Sequence, residues 1–230
     1  MRNYLVVGGS SGIGEALTEI LGQSHRVYAT YNSHQKSNDG NVSYHPLNVL
    51  SDTFDLSFLP EKLDGVAYCP GSILLKPFHR FKDEDFMEDY KLQALGAVKT
   101  VRQVLPMIKS GDHPSIVFFS TIAVQRGFNF HSLVSMSKGA IEGLTRSLAA
   151  ELSPTIRINA VAPALTDTPL AAKLLNTPEK SAAHAEKNPL KKVGTPQDIA
   201  ATAAYLLSPQ SGWITGQIFH VDGGFSSIIK

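Results

Sequence analysis

Three closely spaced glycines near the amino terminus could bring the backbone against a phosphate group. They lie in "VVGGSSGIGEAL", between a short apolar run and a segment with helical periodicity. Glycine permits a sharp turn and close approach to an anion, and a helix amino terminus offers free amide donors. We therefore predict a site for a dinucleotide pyrophosphate rather than a purely structural turn. The residues predicted to contact it are Gly8, Ser10, Ser11, Gly12, Ile13 and Gly14.

Apolar runs alternate with helical patterns along the whole chain. The strand candidates are "NYLVVGG", "HRVYATY", "VSYHPLNV", "DGVAYCPG", "PSIVFFST", "RINAVAP" and "GQIFHVDGG". The helix candidates are "GEALTEILGQ", "DFMEDYKLQALGAVKTVRQVLPMI", the stretch that ends near "ELSP", and "PQDIAATAAYLLS". This alternation predicts an α/β fold with a parallel sheet covered on both faces. Ligands bind such sheets beyond the carboxyl ends of the strands.

Bulk composition predicts one domain that binds a small molecule. The 230 residues are 43% hydrophobic and 18% charged, with a net charge of +1 and no basic run, so neither nucleic acid nor an anionic membrane is expected as a partner. Residues 1–230 are interpreted as a single domain. The segment 167–194 is polar, rich in proline and weakly helical, and we expect it to form a substrate lid.

The expected location is the cytoplasm. A single cysteine, Cys69, fits a reducing compartment. The apolar run that begins at Asn3 leaves no room for a signal peptide, and no apolar stretch approaches the roughly 18 residues of a membrane span. The scattered histidines have no zinc-type spacing, so no metal is predicted.

The chain resembles the short-chain dehydrogenase/reductase family over nearly its whole length. The glycine turn matches the family pattern, although Val7 replaces the usual threonine, and "EGLTRSLAAEL", "AVAPALTDTPL" and "TGQIFHVDGG" are similar to later family segments. The resemblance implies a Rossmann-type, doubly wound sheet and an NAD(P)-dependent oxidoreductase of carbonyls or alcohols. It also implies a homodimer or homotetramer.

Further cofactor contacts follow from this resemblance alone. Asn48 stands where the family commonly has an aspartate near the adenine, and Gly71 is the one residue kept from a family Asn-Asn-Ala-Gly segment. The segment beside the nicotinamide corresponds to Pro163, Thr166 and Thr168, with Ala164 in place of a glycine.

The end of the second strand candidate favours NADP(H) over NAD(H). An acidic residue there would bond the ribose 2′-hydroxyl and repel a 2′-phosphate. The sequence "VYATYNSHQK" has no acidic residue before Asp39. Thr30, Tyr31, Asn32 and Ser33, with His34 or Lys36, could surround a phosphate instead.

The family's catalytic tyrosine is replaced by Val134. Lys138, four residues later, matches the lysine that holds the ribose, and Thr121 matches the serine that fixes the substrate oxygen, with Ser120 beside it. Gln93 stands where the family has an asparagine. Threonine keeps a hydroxyl, and an ammonium can bind ribose hydroxyls without a phenol.

Another group must then supply the proton. His131, three residues before Val134, would share its face on a continuous helix, and imidazole is a common general acid in enzymes. Water is the other candidate. Tyr68 is a weaker candidate, and Cys69 is interpreted as a small buried filler. Two functions stay open: an oxidoreductase with a non-standard proton donor, and a catalytically inactive cofactor-binding sensor or scaffold.

Overall fold

Seven parallel strands form one sheet in the computed structural model, which describes residues 1–228. The strands are β1 (Asn3–Val7), β2 (Arg26–Tyr31), β3 (Val42–Pro46), β4 (Gly65–Tyr68), β5 (Ser115–Phe119), β6 (Arg157–Pro163) and β7 (Ile218–Val221). Their order is β3-β2-β1-β4-β5-β6-β7, and all neighbours are parallel. The chain winds outwards from β1 in one direction and from β4 in the other. This confirms the predicted doubly wound parallel sheet.

Crossover helices cover both faces of the sheet, because parallel strands cannot be joined by tight turns. The helices are α1 (Gly12–Gly22), α2 (Asp83–Tyr90), α3 (Gly96–Lys109), α4 (Ser132–Leu152), α5 (Pro178–Lys187) and α6 (Pro196–Leu207). Alternate residues of β1 point to opposite faces: Leu5 and Val7 pack with α3 and α4, whereas Tyr4 and Val6 pack with α1 and α6. Burial on both faces explains why the central strands β1, β4 and β5 are largely continuous apolar runs.

The long helix predicted between β4 and β5 is interrupted by a π-helical turn. Residues Lys91–Leu95 form this turn between α2 and α3. The Tyr68 hydroxyl donates a 2.6 Å hydrogen bond to the carbonyl oxygen of Leu92. A Cβ atom on Gly96 would overlap that hydroxyl, so glycine is needed there. Turns of this type often mark functional sites.

The segment between β6 and α6 has its two ends tied together. Thr166 and Gly194 form a parallel bridge, and the Asp167 amide donates to the Gly194 carbonyl over 2.8 Å. The segment contains a short 3-10 helix, Pro169–Ala171, and α5, which begins after the capping side chain of Thr177. Within residues 1–228, no helix is both long and apolar enough to cross a membrane.

Candidate active site

A cavity of about 580 Å³ opens beside the turn between β1 and α1, and we call it the glycine-turn cavity. Because β1, β2 and β4 end at the same edge of the sheet, the residues that follow them meet there. The predicted cofactor residues in its wall are Gly8, Ser10, Ser11, Gly12, Ile13, Gly14, Tyr31, Asn32, Ser33, Asn48, Gly71 and Thr168. Their role in binding stays a prediction.

The turn itself is shaped to receive an anion. Gly8 and Gly12 have φ values of +74° and +55°, which side chains rarely adopt. A Cβ on Gly14 would overlap the Gly8 carbonyl, so the turn can close only without one. Ser11 precedes α1 but makes no capping hydrogen bond, so the first amides of that helix remain available to phosphate oxygens. The residues present therefore fit a dinucleotide.

Uncharged polar groups follow β2 in the wall of this cavity. Ser33 Oγ lies 3.1 Å from Nδ1 of His34, and Asn32 lies beside them. The residues that line this cavity include no aspartate or glutamate. Lys36 is instead paired with Glu15 on α1.

A second cavity of about 400 Å³ lies between the end of β5 and the start of α4, and we call it the β5–α4 cavity. The residues it shares with the glycine-turn cavity are Ile13, Cys69, Gly71, Thr168 and Leu170. The three predicted catalytic residues, Thr121, His131 and Lys138, all lie in its wall. Pro163 and Thr166 line it as well.

Lys138 is held inside the protein by a backbone carbonyl. Its side chain is on α4 and 9% exposed, and Nζ donates a 2.8 Å hydrogen bond to the oxygen of Phe119 at the end of β5. Burial lowers the pKa of Lys138 to about 8, although the nearby Asp89 carboxylate opposes this. At neutral pH the Lys138 side chain is therefore mostly protonated, and it loses its positive charge as the pH rises past about 8.

Thr121 and Ser120 have different surroundings. Thr121 Oγ1 accepts a 3.3 Å hydrogen bond from the Ala123 amide, and its residue is only half-buried, so the hydroxyl can still donate into the cavity. Ser120 is buried and donates to Glu142 Oε1 over 2.9 Å. Of the two hydroxyls, that of Thr121 is the one available to a ligand.

His131 lies just before α4 rather than on it, because the helix begins at Ser132. His131 is the N-cap residue, and its carbonyl oxygen accepts a 2.9 Å hydrogen bond from the Ser135 amide, so its position on the same face as Val134 stays a prediction. Nδ1 of His131 lies 2.7 Å from the carbonyl oxygen of Asn129, so Nδ1 is the protonated nitrogen and Nε2 is left to accept or donate elsewhere.

Tyr68 is not placed to donate a proton to a ligand. It is 3% exposed, its hydroxyl is bound to Leu92, and burial raises its pKa. The Cys69 thiol is likewise a weak acid, because burial raises its pKa to about 12. Val134 lies one helical turn before Lys138. Its side chain is 6% exposed and has no titratable group.

Sequence reasoning missed a buried carboxylate in this region. Asp89 on α2 accepts hydrogen bonds from Gln93 Nε2 at 2.8 and 2.7 Å and from the Ser72 hydroxyl. Gln93 and Ser72 both line the β5–α4 cavity. The available signal was the four-residue spacing from Asp89 to Gln93.

No group of three or more histidine, cysteine, aspartate or glutamate side chains within residues 1–228 could hold a metal ion. The two cavities thus combine an anion-binding turn at the edge of a doubly wound sheet with a hydroxyl, an ammonium and an imidazole. This arrangement is typical of dinucleotide-dependent oxidoreductases.

Comparisons with known proteins place the chain within that class. Residues 54–226 match the family described as Enoyl-(Acyl carrier protein) reductase. A tropinone reductase homologue of Arabidopsis thaliana is 31% identical over 96% of this chain and 78% of its own length. The L-xylulose reductase of Bos taurus is 31% identical over 97% of this chain and 96% of its own length.

Solved structures agree with this result. The aldohexose dehydrogenase of Thermoplasma acidophilum superposes with a TM-score of 0.88 at 25% identity, covering 100% of this chain and 96% of that one. A short chain dehydrogenase family protein of Francisella tularensis has a TM-score of 0.86 at 25% identity, covering 99% and 100%. The chain belongs to the short-chain dehydrogenase/reductase family, whose members are NAD(P)-dependent oxidoreductases.

Proposed function

We propose that this protein is an oxidoreductase that binds NADP(H) and interconverts a carbonyl and an alcohol with a non-standard proton donor. The observation that carries the proposal is the common wall of the two cavities. The Thr121 hydroxyl and the Lys138 ammonium line one cavity, which adjoins the glycine turn through Gly71 and Thr168. A ligand that extends from the turn thus reaches the chemical groups.

The chain would hold the cofactor at three places. The amides at the start of α1 would donate to the pyrophosphate, and Lys138 would contact the ribose hydroxyls. Pro163, Thr166 and Thr168 would lie beside the nicotinamide. When bound, the cofactor supplies or accepts a hydride.

NADP(H) is preferred because polar groups without negative charge follow β2. Asn32, Ser33 and His34 can donate hydrogen bonds to a 2′-phosphate, and no acidic side chain lines this cavity to repel it. Since Lys36 is paired with Glu15, its contribution to phosphate binding is reduced.

The substrate is a carbonyl or alcohol with an apolar body. Thr121 would donate to the substrate oxygen. His184, Lys187, Asn188 and Lys192 of the segment 167–194 line part of the cavity, and apolar side chains line most of the rest. These apolar side chains include Ile73, Leu75, Ile122, Phe128, Leu165, Leu170, Leu174 and Phe225. Leu170 and Leu174 belong to the segment 167–194, which would act as the substrate lid in this domain.

The proton would come from water or from His131. Nε2 of His131 is left free by the Nδ1 contact with Asn129, and the ring lines the β5–α4 cavity. A His131→Gln variant separates the two sources. A loss of about 10²-fold or more in the reduction rate would assign the proton to His131, and an unchanged rate would assign it to water.

A second candidate function is a cofactor-binding sensor or scaffold without redox turnover. It is favoured by Val134, which is buried and carries no hydroxyl, and by Tyr68, whose hydroxyl is bound elsewhere. General acid catalysis increases a reaction rate by about 10²–10⁴-fold. The loss of the general acid therefore slows the reduction but does not abolish it. We therefore place the oxidoreductase first.

The assembly we propose is a homodimer or homotetramer in the cytoplasm. Met87 and Tyr90 on α2 and Met136 on α4 expose 55%, 38% and 49% of their surface, so these packed helices present apolar groups to a second copy. Light scattering of the purified protein tests this assembly, and a monomer at micromolar concentration contradicts it.

The function is tested by titration with NADPH and NADH, followed by nicotinamide fluorescence, and then by a carbonyl and alcohol panel. We expect tighter binding of NADPH and turnover that disappears in a Lys138→Ala variant. Binding without turnover on any panel member would favour the sensor. Binding of neither nucleotide would contradict both functions.

A further inference from the structure

We infer that the reducible substrate carries a carboxylate, and that Lys187 and His184 of α5 bind this group at the mouth of the β5–α4 cavity. The inference rests on the proposed carbonyl reduction and adds the chemical class of its substrate. Lys187 is then a specificity-determining residue, because it binds a part of the substrate that does not react.

Positive charge predominates in the wall of the β5–α4 cavity. The basic residues in this wall are Lys138, Lys187, Lys192, His131 and His184. No aspartate or glutamate is among the described residues that line it. A cleft lined by one sign of charge concentrates ligands of the opposite sign. The cavity therefore favours an anionic ligand over a neutral one.

Two of the three lysines in this wall are already engaged. Lys138 Nζ donates to the carbonyl oxygen of Phe119, and this lysine would hold the cofactor ribose. Lys192 Nζ lies 3.1 Å from each carboxylate oxygen of Asp198. Lys187 differs from both, because its ammonium makes no hydrogen bond or ion pair with the described part of the chain. Its charge is therefore available to a ligand.

The end of α5 does not need Lys187 to complete it. A lysine in or near the last turn of a helix can bind the free carbonyl groups there. At α5 this role belongs to Lys191, whose Nζ donates to the carbonyl oxygen of Glu186 over 2.7 Å and to its carboxylate over 2.6 Å. The Lys187 side chain lines the cavity and is also exposed, so it lies at the mouth.

His184 supplies a second donor beside Lys187. It precedes Lys187 by three residues on α5, so the two side chains share one side of the helix. The ring is half-buried in the cavity wall, and neither ring nitrogen is hydrogen-bonded to a residue within 1–228. Burial, and to a smaller extent the Lys187 charge, lowers the pKa of His184, so the imidazole is neutral at neutral pH. One ammonium and one neutral N–H match the single charge and two oxygens of a carboxylate.

Asn188 fixes the end of α5 beside the cavity. Its side chain is 8% exposed, Nδ2 donates to the carbonyl oxygen of Asp222 over 2.8 Å, and Oδ1 accepts from the Leu190 amide over 2.9 Å. Phe225, three residues after Asp222, lines the same cavity. The last turn of α5 is thereby joined to the segment that follows β7, so its two basic side chains are held in the wall.

The rest of the cavity suits the carbon skeleton of such a substrate. Its volume of about 400 Å³ lies within the usual range of small-molecule sites, roughly 300–1,000 Å³. Phe128 and Phe225 stack in its wall with ring centroids 6.0 Å apart, and the Thr121 hydroxyl would receive the reacting oxygen. A ketone with an apolar body between its carbonyl and its carboxylate satisfies these features together.

The first test compares three ketones that share one aromatic body and differ in charge: 4-acetylbenzoate, its neutral isostere 4-acetylbenzamide, and 4-acetylphenyl phosphate. NMR titration of the ¹⁵N-labelled full-length protein, with and without NADP⁺, gives their Kd values. The benzoate should bind at least about fivefold more tightly than the benzamide, because hydrogen bonds to charged groups are the stronger ones. Equal binding, or binding of none of the three, would overturn the inference, and tighter binding of the phosphate would overturn the choice of a carboxylate.

A lysine substitution assigns this preference to Lys187. Lys187→Gln should reduce the preference for the benzoate to within about twofold, and the substitution should leave the core intact because Lys187 is exposed. Lys180→Gln is the matched control, since Lys180 is an exposed lysine of α5 that donates to Asn176 and does not line the cavity. It should keep the preference. An unchanged preference in Lys187→Gln would overturn the inference.

A cofactor titration excludes the alternative that Lys187 binds a cofactor phosphate. The Kd of NADPH should be the same in Lys187→Gln and in the wild type, and a weaker NADPH affinity in the variant would overturn the inference. These titrations measure binding alone. Failure to reduce any ketone would therefore contradict the proposed function without changing their result.

Kinetics give a further test where a ketone is reduced. Lys187→Gln should lower kcat/KM for 4-acetylbenzoate at least about fivefold more than for 4-acetylbenzamide, mainly through KM, because the carboxylate takes no part in the chemical step. A change confined to kcat would overturn the assignment of Lys187 to substrate binding.

Discussion

Lys138 Nζ donates a 2.8 Å hydrogen bond to the carbonyl oxygen of Phe119, and this contact joins α4 to the end of β5. Thr121 lies two residues after Phe119, so the same bond sets the distance between the ammonium and the hydroxyl of the candidate site. The ammonium is thereby removed from water and kept beside the cavity.

Burial of Lys138 predicts a stability that increases with pH. Its pKa is about 8 in the folded chain and 10.5 ordinarily, so between these values the unfolded chain binds the extra proton and folding is favoured as pH rises. Relative to Lys138→Met, the wild-type free energy of unfolding should increase by about 1–3 kcal/mol from pH 8 to pH 10.

Urea denaturation at several pH values measures this difference. Lys109→Met is the matched control, because Lys109 is an exposed lysine near the end of α3. Its stability relative to the wild type should not change over the same range. A flat difference for Lys138→Met would show that Lys138 keeps its ordinary pKa.

Val134→Tyr should accelerate carbonyl reduction. A phenol at Val134 would lie one helical turn before Lys138, whose charge would favour the phenolate, and a positioned general acid contributes about 10²-fold or more. Val134 is buried, so the larger ring should also destabilise the fold by about 1–3 kcal/mol.

Val134→Phe separates these two effects, since it adds the ring without the hydroxyl. Both variants should lose similar stability in thermal unfolding, and only Val134→Tyr should gain rate under single-turnover conditions. Equal rates for the two variants would mean that the proton is already supplied efficiently by another group.

The sequence was sufficient to predict the sheet and the glycine turn, because their determinants are local. Apolar runs identify strands that are buried on both faces, and Gly8, Gly12 and Gly14 identify a turn with special backbone angles. The expectation that Thr121 and Lys138 meet in one site came from the resemblance to the short-chain dehydrogenase/reductase family, and both line the β5–α4 cavity.

The remaining features depend on contacts between distant residues. The π-helical turn requires Tyr68 to reach Leu92, and the burial of Asp89 requires α2 to pack on α4. Neither is visible in a helical periodicity.

Asn32→Asp should reduce the preference for NADPH. Asn32 follows β2 in the glycine-turn cavity, and a carboxylate there would repel a 2′-phosphate but bond a ribose 2′-hydroxyl. We expect the Kd of NADPH to rise at least about tenfold, or about 1.4 kcal/mol, with NADH affinity unchanged or improved. Fluorescence titration measures both.

Asn32→Ala provides the control, because it removes the amide without adding charge. It should weaken NADPH binding less than Asn32→Asp does and should not improve NADH binding. If both variants affect the two nucleotides equally, Asn32 does not face the 2′ position.

The π-helical turn should depend on Tyr68 and Gly96 together. Tyr68→Phe leaves the Leu92 carbonyl without its donor and should destabilise the protein by about 1–3 kcal/mol. Gly96→Ala places a methyl group where the Tyr68 hydroxyl lies, so it should also destabilise. In the Tyr68→Phe background the hydroxyl is gone, and Gly96→Ala should then destabilise the protein less than it does alone.

Denaturant unfolding of the two single variants and the double variant measures the coupling free energy between Tyr68 and Gly96. Additive effects would show that the hydroxyl and the Gly96 backbone do not meet. Because Tyr68 donates no proton to the ligand, Tyr68→Phe should keep the pH dependence of turnover unchanged.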